Sequence, residues 1–120
     1  MNIDCVVNIL GEPGRVKIFS SELDSRLKDN IGFTDWTSHF IGIADPDETE
    51  STLDNTMELI KQVARHEIVH AFMFQSGLSD DWKHEQWGHD ETVVDWIARQ
   101  FKAMQKVIDK VEKLIEGAEE

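Results

Sequence analysis

The segment His66-Glu67-Ile68-Val69-His70 carries the strongest chemical signal in the chain. Two histidines four apart on an α-helix project from one face, one turn apart, so both imidazoles can reach a single ion. Glu67 lies about 100° round such a helix from His66. It can therefore stand beside a metal without coordinating it, where a base is needed to take a proton from water. The ordinary alternative is a pair of satisfied core histidines. That is hard to arrange here, because each buried imidazole needs partners for two ring nitrogens. A metal ion meets the need directly.

A catalytic zinc ion takes three protein ligands and keeps a fourth position open. Cys5 is the only cysteine, which excludes a thiolate site and leaves His, Glu or Asp as the third ligand. Glu91 is the first candidate, because it continues an apolar helical stripe where an uncompensated carboxylate is costly. Asp95, one turn further, is placed to accept a hydrogen bond from a ligand imidazole and fix its tautomer. Against this, Glu91 can simply favour a helix N-terminus, and Asp95 can pair with Arg99 four residues on. His84 and His89 are rival third ligands.

His66-Glu67-x-x-His70 followed by Glu91-x-x-x-Asp95 resembles the pattern of gluzincin zinc metallopeptidases, and the chain length is similar to that of their minimal members, the minigluzincins. The wording His-Glu-Ile-Val-His-Ala-Phe, with a later Val-Asp-Trp-Ile-Ala, also resembles small metallopeptidase-like proteins encoded by bacterial viruses. The match covers about 66–97. The resemblance implies a zincin-like fold, Zn2+ held by His66, His70 and Glu91, Glu67 as general base and Asp95 as orienter of a ligand histidine. It implies hydrolysis of a peptide or protein substrate, and that the strand from His39 to Ala44 is the edge along which an extended peptide lies. Larger gluzincins stabilise the tetrahedral intermediate with a tyrosine or histidine. This chain has no tyrosine, so His84, His89, His39 and Arg99 are the candidates for that role.

These residues need two helices to carry them. From Leu53 to about Ser76, apolar residues recur at helical spacing in two stripes: Leu53, Met57, Ile60, Ala64, Ile68 and Ala71, and then Leu59, Val63, His66, His70 and Met73. A helix apolar on two sides is expected to be central and buried, and Gly77 is a plausible stop. A second helix is predicted over about 90–115, its stripe running Glu91, Val94, Ile97 or Ala98, Phe101, Met104, Ile108, Val111 and Ile115. The first half reads as strands and turns. Ile3 to Leu10 is followed by turn chemistry at Gly11-Glu-Pro-Gly14, and strand character resumes at Val16. Ser20 to Asn30 suggests a short helix, and His39 to Ala44 a strand. The expected fold is α+β, one domain over 1–120, with a small antiparallel or mixed sheet packed on two long helices.

Composition narrows the function classes. Asp and Glu number 24 against 12 Lys and Arg, a formal net charge of −12. A protein that grips the phosphate backbone needs the opposite sign, so no nucleic-acid partner is expected. No stretch reaches the roughly 20 apolar residues of a membrane helix, and Met-Asn-Ile-Asp-Cys has no basic n-region. A cytoplasmic location is the expectation. The reading from another class is a zinc-stabilised, non-catalytic acidic protein of viral type that inhibits a basic host protein. A coiled-coil module on Val94 to Ile115 is a third.

Overall fold

A computed structural model describes residues 1–46, 55–78 and 91–118, except the side chains of Glu91, Thr92, Val94, Asp95 and Ala98. The segments holding His84 and His89 lie outside the described residues. Strand β1 (Ile3–Ile9) alternates as a half-buried strand does: Ile3, Val7 and Ile9 point inward while Asp4, Val6 and Asn8 are exposed. Leu10 and Gly11 then make a two-residue turn with φ of 54° and 91°. Positive φ at both positions matches the twist of the flanking strands, and Asn8 Oδ1 accepts the Gly11 N–H at 2.6 Å.

Strand β2 (Glu12–Phe19) therefore starts inside the Gly11 to Gly14 stretch expected to be all turn. Pro13 is tolerated because the ladder to the next strand begins only at Arg15. The helix expected over Ser20 to Asn30 is replaced by two 3-10 turns, Ser21–Leu23 and Ser25–Leu27. Asp24 breaks them apart: its backbone is extended, and its side chain accepts the Arg26 N–H at 3.0 Å as a cap.

Strands β3 (Gly32–Asp35) and β4 (Phe40–Ala44) complete a four-stranded mixed sheet in the order β1-β2-β4-β3. β1 and β2 are antiparallel, β2 and β4 parallel, β4 and β3 antiparallel. The His39 to Ala44 strand, expected at the edge, is thus an interior strand. The edge on that side is β3, which the sequence pattern did not announce.

Helix α1 (Thr56–Gln75) is capped by Asn55, whose side chain accepts the Glu58 N–H at 3.1 Å. It stops at Ser76 and Gly77, the latter in the left-handed region at φ 83°. Ile60, Ala64, Ile68, Ala71 and Phe72 are buried against Val7, Ile9, Val16, Ile18, Ile41 and Ile43 of the sheet. The second apolar stripe goes into the core less than expected: Val63 packs against its rim, Leu59 and Met73 are half-buried, and His66 is exposed. α1 is one-sided, and its histidine face looks outward.

Helix α2 (Glu91–Ala118) runs antiparallel to α1. Lys61 Nζ lies 2.7 Å from Glu116 Oε1, and Arg65 pairs with Glu112 one turn on. Met104, Val107, Val111 and Ile115 are buried, whereas Ile97 and Phe101 of the expected stripe are exposed. A smaller cluster of Phe19, Leu27 and Ala44 covers the far face of the sheet. The fold is α+β, a mixed sheet with two long helices on one face. Among the described residues no helix is long and apolar enough to cross a membrane.

Candidate metal centre

The core stripe of α1 fixes how the helix is rotated, and so where its histidines point. With Ile60, Ala64 and Ile68 turned to the sheet, His66 and His70 share the half-exposed face, one turn apart. Their Nε2 atoms stand 3.1 Å apart, with the rings edge to face at 4.8 Å. Two nitrogens bound at 2.0–2.1 Å to one tetrahedral zinc are separated by about 3.3 Å. The pair therefore has close to the spacing of two zinc ligands. Without an ion, one ring must donate Nε2–H to the other; with one, both lone pairs converge on it. Imidazole nitrogens are donors of the kind zinc takes, and the residues present fit the ion.

Glu67 turns the other way, toward β3. It is 7% exposed, the one buried charged side chain among the described residues. Thr34 Oγ1 of β3 donates to Glu67 Oε1 at 2.9 Å and also lies 3.0 Å from the Glu67 carbonyl oxygen. Gly32, on the same face of β3 as Thr34, lets the strand approach the helix. A Cβ there would stand 2.7 Å from Val63 Cγ1, which no real packing allows.

Two hollows flank His66. One, of about 490 Å³, is walled by Ile31, Gly32, Leu59 and Val63 and has Glu67 on its lining. The other, of about 430 Å³, is shared with His70 and walled by Val69 and Met73. Both hollows are open to solvent, and apolar side chains make up only part of the lining on the Glu67 side.

His66 and His70 are thus brought together, while Glu67 faces β3 and shares with His66 the hollow on that side. Among the described residues no third imidazole, thiolate or carboxylate joins the two histidines in a metal-holding group. The Glu91 and Asp95 side chains lie outside that description, but their backbone forms the first turns of α2. Trp96 Nε1 donates to Ser76 Oγ at 2.8 Å, so this end of α2 meets the C-terminal end of α1. At 1.5 Å per residue, with Glu91 five residues beyond Trp96 and His70 six residues back from Ser76, the Glu91 backbone stands about 16 Å or more along the helix axes from that of His70. Glu91 reaches an ion on the histidines only if these first turns move along α1 toward His70, not merely closer to it. Arg99 is exposed on α2. His39 is engaged elsewhere, stacked on Trp36 at 4.4 Å with its Nδ1 3.1 Å from the Pro13 carbonyl.

Sequence reasoning missed Gly32 and Thr34, the two β3 residues against Glu67. Their only local signal is a spacing of two, which becomes meaningful once β3 is known to lie on α1. Compared with protein-family models, with curated proteins and with solved structures, the chain finds no match.

Proposed function

We propose that the protein is a zinc-dependent peptidase of the gluzincin type, cleaving peptide bonds at the histidine face of α1 with Glu67 at its border with β3. The observation that supports this best is the convergence of the two Nε2 atoms at 3.1 Å beside a buried, hydrogen-bonded carboxylate. His66 and His70 would hold the ion. Glu91 is the first choice for the third ligand, with His84 and His89 as the others.

Zinc would supply Lewis acidity, polarising the scissile carbonyl and lowering the pKa of water at its open position to about 7. The chain does the rest. Glu67 takes the proton from the attacking water and returns it to the leaving amine nitrogen. The edge of β3 beside Glu67, unpaired among the described residues, holds the peptide backbone by ladder hydrogen bonds. Val63, Leu59 and Ile31 exclude water from one side of the cleft and accept an apolar portion of the substrate.

The test is Glu67→Gln, which keeps the side-chain shape but cannot take a proton. Zinc-loaded wild type should cut members of a broad peptide library, and Glu67→Gln should retain zinc and fold while losing cleavage. Equal cleavage by both proteins would overturn Glu67 as base. No cleavage by zinc-loaded wild type would overturn the peptidase reading.

A further inference from the structure

A carboxylate as buried as that of Glu67 is costly unless its oxygens are bonded, and the two oxygens are treated differently. Oε1 accepts from Thr34 Oγ1 at 2.9 Å. That hydroxyl has one hydrogen and can serve one acceptor at a time, and both acceptors within its reach belong to Glu67. Thr34 therefore grips this one residue, at its carboxylate or its main chain. Oε2 has no hydrogen bond among the described residues. Since no buried side-chain oxygen among them lacks a partner, Oε2 keeps some exposure, and Glu67 lines the hollow it shares with His66.

Gly32 preserves that exposure. A Cβ at this position would lie 2.7 Å from Val63 Cγ1, 3.2 Å from Glu67 Cγ and 3.3 Å from Oε2, so Val63 would have to shift and the carboxylate to give by a few tenths of an ångström. Residues 32 and 34 share one face of a strand, so a Gly-x-Thr pair on β3 makes a cradle for one glutamate on α1.

We infer that Gly32 and Thr34 are positioning residues for Glu67: Thr34 holds Oε1, and Gly32 leaves Oε2 as the proton-accepting atom. The inference rests on the peptidase reading for its kinetic consequence, and on geometry alone for its structural one. Neither residue takes part in proton transfer. Each acts through Glu67.

The experiment compares Thr34→Val, which keeps the shape without the hydroxyl, with Thr34→Ser, which keeps the hydroxyl. Gly32→Ala is run beside them, and zinc content, kcat, KM and crystal structures are measured for each. In Thr34→Val, kcat should fall by about 10- to 100-fold with KM and zinc content unchanged, the scale expected when a reacting group loses its orienter. Thr34→Ser should restore kcat to within a few-fold of wild type, and Gly32→Ala should lower it with Oε2 displaced. Equal losses in Thr34→Val and Thr34→Ser, or wild-type kcat in Thr34→Val, would overturn the inference. If zinc-loaded wild type cleaves nothing, the peptidase reading fails by itself and the crystal structures decide the cradle. A Glu67 carboxylate unmoved in Thr34→Val would sink it, and one swung away in Thr34→Val but in place in Thr34→Ser would support it. Should Thr34→Val not fold, Thr34→Ala carries the same comparison.

Discussion

His66 Nε2 and His70 Nε2 face each other across 3.1 Å on the outward side of α1, while Ile68 between them is wholly buried. The same helical turn thus supplies a core contact and a pair of metal-ready nitrogens. It does so because positions two apart on a helix lie on nearly opposite sides.

Metal binding follows from that pair. Protein purified without chelator should carry one zinc per chain by elemental analysis, and His70→Ala should lose it. Chelation should lower the melting temperature of the wild type, since an ion that binds only the folded state stabilises it. A metal-free wild type with the same melting temperature before and after zinc addition would contradict the site.

The first turns of α2 are tested by competition with a chromogenic chelator. Asp95→Asn should weaken zinc affinity about 10- to 100-fold, as removal of a ligand's hydrogen-bond partner does, and Arg99→Ala should leave it unchanged. Glu91→Gln should lower affinity more than His84→Ala or His89→Ala. The reverse order would move the third ligand to a histidine. Unchanged affinity in both Asp95→Asn and Glu91→Gln would remove α2 from the site.

Asp24 gives a pH test independent of any metal. Its bonds from the Arg26 guanidinium, and then from the Arg26 N–H, hold its carboxyl down at about 2 from the ordinary 3.8. A carboxylate with a lowered folded value stabilises the fold fully above the unfolded value, and that contribution is lost as pH falls from about 4 through 2. The Asp24 carboxyl signal in a carbon-13 NMR titration should still report an ionised group at pH 3. In Arg26→Gln its midpoint should move up toward the ordinary value. A wild-type midpoint near 4 would refute the pairing.

Local pattern alone was enough for several elements. The 3.6-residue stripe of Ile60, Ala64, Ile68 and Ala71 marks α1, and Gly77 ends it in the left-handed region. Alternation in Ile3, Val7 and Ile9 marks β1. The spacing of His66 and His70 places two imidazoles on one face whatever surrounds the helix, because that follows from helix geometry. Tertiary structure decided the rest. β3 has Gly and Asp at its ends, poor strand formers, and exists through its pairing with β4. That pairing also moves β4 from the edge to the interior of the sheet. Leu59 and Val63 read as core by period, yet they are only half-buried, Val63 at the core's rim, and both wall an open hollow because the sheet is already filled by the other stripe. Thr34 meets Glu67 across 33 residues of sequence. Periodicity records which way a side chain points along its own element, but which element it meets is set by long-range packing, and that leaves no mark on the residues nearby.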